Sequence, residues 1–160
     1  ADVRSGTEAR AIAEAARYAP LGRRGAQFTV SRAARFGADS SHAQKANDSI
    51  LVAVMIESRA GLEAIPEIAA IDGIDMLFLG PLDLTGDYGS FGDLASPELA
   101  QALRDAETAI RASGKLLGGA ALPGEHAQDM FARGHALVTV TSDVGLLRDA
   151  AARAVQSIQP

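Results

Sequence analysis

At 160 residues the chain is long enough for one domain with a sizeable hydrophobic core. Its formal net charge of −5 disfavours nucleic acid and anionic membrane as partners. The absence of cysteine excludes a disulfide frame and thiol chemistry, and no apolar run approaches the roughly 20 residues that cross a bilayer.

The chain opens on a helix signal. Ser5-Gly6-Thr7-Glu8 fits a capping box, and Ala9, Ile12, Ala13 and Ala16 recur at helical spacing until Pro20 and Gly22 stop them. With no strand signal ahead of that helix, the pattern reads as an α/β protein entered part-way. No signal-peptide pattern is present, so the expected compartment is the cytoplasm. The next stretch, Tyr18 to Asn47, is irregular and carries a local basic excess in Arg23, Arg24, Arg32, Arg35 and Lys45. An arginine there could meet a distal substrate carboxylate, but a solvated loop or subunit contact is the favoured reading.

The most informative stretch runs from Ile50 to Thr85. Two apolar runs, Ile50 to Ile56 and Met76 to Leu79, are followed at once by Glu57 and, through Gly80-Pro81, by Asp83. Continuous aliphatic runs suggest strands buried on both faces in a parallel sheet. Ligands collect at the carboxyl ends of such strands, so parallel neighbours would place Glu57 and Asp83 on one rim. Either acid alone is best read as a cap or a surface charge. Together, the two carboxylates suit a hard divalent cation, magnesium or manganese, with cobalt as a third option. Gly80 lets a ligand approach the backbone, Pro81 stiffens the turn, and the amides of Leu82 and Asp83 are free to meet an anion. Met55 shares the face of Glu57, so it points inward, and core packing is its plain role.

The rest of the chain repeats the strand–helix alternation. Arg59 to Ala64 and Pro66 to Ala70 read as short helices, and Asp72-Gly73 as a turn. Thr85 to Leu94 reads as a glycine-rich loop over the rim, either a lid or unordered chain; the role of Gly86 to Asp93 is left open. Ser96-Pro97-Glu98 starts a helix with Leu99, Leu103, Ala106 and Ile110 inward, and Gly114 stops it. Lys115 to Leu122 is a third strand. Its Gly118-Gly119 fits a phosphate site, but tight helix packing is favoured. Glu125 to Arg133 forms a helix, Leu137 to Thr141 a fourth strand, and Gly145 onward a last helix with Leu146, Leu147, Ala150, Ala154 and Ile158 inward. Of the histidines, His42, His126 and His135, none follows a strand, and all three read as structural or surface residues.

Several segments resemble the HpcH/HpaI family of class II pyruvate aldolases. They are Tyr18, Pro20, Gly22, Arg24 and Gly25; Ala46-Asn47; Ile56-Glu57-Ser58-Arg59; Gly73-Ile74-Asp75; Gly80-Pro81-Leu82-Asp83-Leu84; Ser113-Gly114-Lys115; and Ser142-Asp143. The resemblance implies a carbon–carbon lyase that cleaves or forms 2-keto-3-deoxy or 4-hydroxy-2-oxo acids through a metal-bound pyruvate enolate. It implies Glu57 and Asp83 as the metal ligands, and the Leu82 and Asp83 amides as the seat of the pyruvate carboxylate, with Gly80 and Pro81 beside them. The family usually carries Gln where this chain has Met55, which cannot donate to a carboxylate. An alternative is the related citrate lyase β-subunit and malyl-CoA lyase group, although no convincing adenine or phosphate site is apparent. A non-catalytic half-barrel is the alternative from another class.

A full (β/α)8 barrel of the phosphoenolpyruvate/pyruvate type takes about 250 residues and eight strands. This sequence, as a single domain over residues 1–160, reads as the second half of one, with four β/α units. The family's base histidine and its enolate-stabilising arginine would then lie in the other half. Taken alone, the chain is expected to be inactive, with open edges at the Ile50 and Leu137 strands and Val52, Val54, Leu77 and Val138 bared on the inner face. At 48% hydrophobic, it holds more apolar residues than an open sheet can cover. Pairing with the other half or with a second copy, as a homo-oligomer, follows from that expectation.

Overall fold

The computed structural model describes residues 2–158. Four parallel strands form one sheet in chain order: β1 (Ala53–Ile56), β2 (Met76–Leu79), β3 (Leu116–Ala120) and β4 (Leu137–Thr139). Each parallel step needs a crossover, which the helices supply: α3 (Arg59–Glu63) and α4 (Ile65–Ala69) after β1, α5 (Pro81–Asp87) and α6 (Pro97–Ala112) after β2, and α7 (Ala127–Ala132) after β3. Helices α1 (Gly6–Ala16) and α2 (His42–Ser49) precede β1, and α8 (Asp143–Gln156) follows β4.

Local chemistry sets most boundaries. The Ser5 hydroxyl accepts from the Glu8 amide, and Glu8 Oε2 accepts from the Arg4 amide at 2.7 Å, so the opening turn is capped from both directions. Ser58 and Ser142 cap α3 and α8 in the same way, through the amides of Gly61 and Gly145. Ser96 makes no side-chain cap to α6, although its carbonyl accepts from the Ala100 amide. Gly114 and Gly134 end α6 and the α7 segment with φ of +78° and +99°, a region costly for any residue with a Cβ.

Register decides which strand residues meet the helices. Val54, Leu77 and Leu117 lie side by side, as do Ile56, Leu79 and Gly119, and this face packs on Ile65, Ile68, Ala106 and Ile110. Met55, Phe78, Gly118 and Leu137 share the opposite face. Central β2 is buried on both faces, with Met76 3% exposed on the second one, but the neighbouring strands are not, although their unbroken apolar runs suggest they would be. Val52, Val54 and Leu77, expected on the bared inner face, are 6%, 3% and 0% exposed on the helix side. On the other face the exposed positions are Ala53, Leu116 and Leu137 instead. A run without polar residues carries no parity, so only the register distinguishes its two sides.

Two further expectations change. The edge at β1 is not bare: Asp2 bridges Met55 in parallel fashion, and the Val3 amide donates to the Met55 carbonyl at 3.0 Å. Strand-like pairing therefore does precede α1. At the other end, α8 buries none of its residues; Leu146, Leu147 and Ile158, expected inward, are exposed. Gly118 and Gly119 are close-packed on both faces. A Cβ on Gly118 would stand 2.7 Å from the Phe78 ring, and one on Gly119 would stand 3.0 Å from His135 Nε2.

Candidate active site

The Ile56–Leu79 register places the residue after each strand side by side, and the Gly80 amide extends the ladder by donating to the Ile56 carbonyl at 2.9 Å. Glu57 therefore lies against Gly80. A Cβ at position 80 would stand 2.9 Å from Glu57 Cβ and 3.0 Å from Oε2, so the glycine makes room for the glutamate rather than only for a ligand. The same imagined Cβ lies 3.4 Å from Met55 Cγ, which puts the half-buried Met55 next to Glu57 on the inner face.

Pro81 opens α5 at its first position, where a missing N–H costs nothing. Gly80 has no side chain with which to cap the helix, and the amides of Leu82 and Asp83 sit in the first turn, beyond reach of any intrahelical carbonyl. Asp83, in the first turn of α5, is the nearest acidic influence on Glu57 from the neighbouring strand end. Burial, the negative charge of Asp83 and that of Asp2 all push the Glu57 carboxyl above its ordinary range. Two carboxylates held this close repel each other, and a cation between them would reverse the sign of that interaction. The donor set fits a hard divalent ion.

Asp2 and Ser58 belong to this corner, and nothing in their local pattern announces it. The Ser58 hydroxyl donates to Asp2 Oδ1 at 2.8 Å, and the Arg4 guanidinium donates to the other Asp2 carboxylate oxygen. Burial alone would raise the Asp2 carboxyl, but the hydrogen bonds from Arg4 and Ser58 together hold it below its usual range. The turn that carries Glu57 is thus tied to the segment 56 positions earlier in sequence.

The loop expected from Thr85 begins later, since α5 continues through Asp87. It is pinned back on that helix: the Ser90 amide donates to the Thr85 carbonyl at 3.0 Å, and the Gly92 amide to the Thr85 hydroxyl at 2.8 Å. The histidines stand elsewhere. His42 packs with Tyr18 and Phe28, His126 precedes α7, and buried His135 lies between the Met130 carbonyl and Glu107. Arg24 stacks on the Tyr18 ring at 4.9 Å, and Arg23 faces Glu14 at 3.7 Å. Among the described residues, no group of three or more His, Asp or Glu side chains is arranged to hold a metal.

A family model described as HpcH/HpaI aldolase/citrate lyase matches residues 2–150. The chain belongs to the HpcH/HpaI aldolase/citrate lyase family. It is 40% identical, over 72% of its length, to a hydroxypyruvate/pyruvate aldolase of Roseovarius nubinhibens, of which it covers 45%. It is 37% identical, over 89% of its length, to a 2-keto-3-deoxy-L-rhamnonate aldolase of Shigella sonnei, of which it covers 54%. The chain therefore spans about half the length of the curated relatives it matches. A crystal structure of an HpcH/HpaI aldolase/citrate lyase family protein from Burkholderia cenocepacia J2315 superposes with a TM-score of 0.86 at 32% identity, over 99% of this chain and 63% of that one. The four parallel β/α units are thus part of a TIM-barrel-like HpcH/HpaI fold.

Proposed function

We propose that the complete protein carrying this chain is a metal-dependent aldolase that cleaves or forms 4-hydroxy-2-oxo acids, 2-keto-3-deoxy sugar acids among them. The observation that carries the reading is the rim itself: Glu57 and Asp83 brought together at the ends of adjacent parallel strands, beside the open first-turn amides of α5. Both names among the relatives, a hydroxypyruvate/pyruvate aldolase and a 2-keto-3-deoxy-L-rhamnonate aldolase, support the same substrate class.

In this reading Glu57 and Asp83 hold magnesium or manganese, ions that are commonly bound through one or two carboxylates. Once bound, the ion supplies Lewis acidity that stabilises negative charge developing on a keto acid as its C–C bond breaks. The Leu82 and Asp83 amides receive the pyruvate carboxylate, Gly80 and Pro81 keep that backbone open to it, and Met55 lines the inner side with a thioether where no N–H is offered. The chain would contribute ligands and an anion seat, with the proton-moving base supplied by the rest of the barrel. Residues 1–160 would act as a single domain, closed by the remaining β/α units or a second copy in a cytoplasmic homo-oligomer. Among the described residues, no helix is long and apolar enough to cross a membrane.

The test is release of pyruvate from a panel of 4-hydroxy-2-oxo acids by the complete protein, stripped with a chelator and then supplied with Mn²⁺. Cleavage that returns only with the metal supports the assignment. Undiminished turnover in the stripped protein, or full turnover and Mn²⁺ affinity in both Glu57→Gln and Asp83→Asn, would overturn it.

A further inference from the structure

Arg59 follows Glu57 by two residues at the start of α3, and Asp87 follows Asp83 by four in α5. Residues four apart in a helix share a face, so Asp83 and Asp87 present two rungs to the same neighbour one turn apart. The upper rung is the like-charged pair of Glu57 and Asp83. The lower rung is of opposite sign and densely bonded. The Arg59 amide donates to Asp87 Oδ2 at 2.8 Å, and its Nε donates to the Asp87 carbonyl at 2.9 Å. The same guanidinium donates to Glu98 Oε1 at 3.0 Å, and its carbon lies 3.9 Å from the centre of the Tyr88 ring. One side chain thus ties the start of α3 to the end of α5 and to the first turn of α6.

We propose that Arg59 is a positioning residue for the metal site, fixing the separation of the two carboxylates by clamping the helix that carries Asp83 against the turn that carries Glu57. The proposal rests on the assignment of Glu57 and Asp83 as metal ligands. Left to themselves, two neighbouring carboxylates repel, and each must be drawn back when a cation arrives. The Arg59 rung holds α5 in place before the ion binds, so the two ligands do not have to be reassembled. A planar fork that meets a carbonyl and a carboxylate while stacking on an aromatic ring is peculiar to arginine. Lysine offers a point charge that cannot reach all three partners at once. The clamp acts through geometry rather than stability, because an exposed ion pair contributes little to folding.

The test is Mn²⁺ binding to the complete protein without substrate, followed by electron paramagnetic resonance of the free ion. Arg59→Met should weaken binding roughly tenfold, the order seen when a group supporting a metal ligand is removed, with Arg59→Lys in between. Thermal unfolding monitored alongside should move little in either variant. Affinity unchanged in Arg59→Met, or lost only in proportion to unfolding, would overturn the inference. If Arg59→Met fails to fold, Arg59→Lys decides by itself, since wild-type affinity in that variant equally rules out the clamp. Glu57→Gln separates the two levels. Abolished binding there together with intact binding in Arg59→Met sinks the clamp and leaves the metal site. Intact binding in Glu57→Gln sinks both.

Discussion

Helices α6 and α8 have similar sequences in kind, each with an aliphatic stripe at helical spacing, an acidic first turn and an arginine in the last turn. Their fates differ. Helix α6 buries Leu99, Ala106 and Ile110 on the side that meets α4, β3 and α5, whereas α8 buries nothing. The contrast teaches that an amphipathic stripe states that a helix has an apolar side without saying where the covering surface lies. For α6 that surface is the sheet beside it. For α8, reached from the edge strand β4, no other described element offers one. The candidate rim falls at the packed end of the molecule, where α4 and α6 meet each other and α6 meets the sheet.

The sharpest way to test this contrast is through activity. Glu57→Gln and Asp83→Asn, at the packed end, should abolish Mn²⁺-dependent pyruvate release by the complete protein, while Arg148→Gln on α8 leaves it near the wild-type rate. Comparable losses at Arg148 would mean that the α8 end also serves the site.

Stability provides the next largest effect. Ile110 is fully buried, so Ile110→Ala should lower the unfolding free energy of the 160-residue chain by about 3 kcal/mol through lost burial and the cavity left behind. Leu147 is 73% exposed, and Leu147→Ala should stay within roughly 0.5 kcal/mol in the same denaturant titration. An equal loss at Leu147 would show that α8 is covered in solution.

Smaller changes at the rim sharpen the picture. Gly80→Ala places a methyl where Glu57 now lies, so it should weaken Mn²⁺ binding with little loss of the α6 core, a split readable by titration and thermal unfolding together. Unchanged affinity would show that Glu57 can move aside without cost. The mildest expectation concerns Met55→Gln, where a restored amide donor should lower KM for a keto acid and leave kcat nearly constant, the pattern of added uniform binding. A raised KM would leave Met55 as packing alone.

Much of the rim was legible because each acid follows an unbroken apolar run, and strand ends in a parallel sheet converge on one side. The order Glu57, then Gly80-Pro81-Leu82-Asp83, was enough to predict the pair. Asp2 was not legible. Its tie to Ser58 crosses 56 positions, and a single acid near a chain start has no local signature. Asp87 was hidden by composition: Gly86 and Gly89 beside it suggest a loop, yet packing of Leu84 and Thr85, both fully buried, carries the helix through to Asp87. That extension is what brings Asp87 to Arg59.

By itself the sequence determined the alternation of strand and helix, the helix start marked by Ser5, and the placement of Glu57 and Asp83 after strands. These depend on interactions within a few residues, namely capping, turn geometry and side-chain period. Only the tertiary structure decided which side of each strand faces the helices, that Asp2–Val3 occupies the edge of β1, that α8 lies bare, and that Gly80 exists to seat Glu57. Those outcomes depend on register and on neighbours distant in sequence, and a continuous apolar run looks the same whichever face it buries.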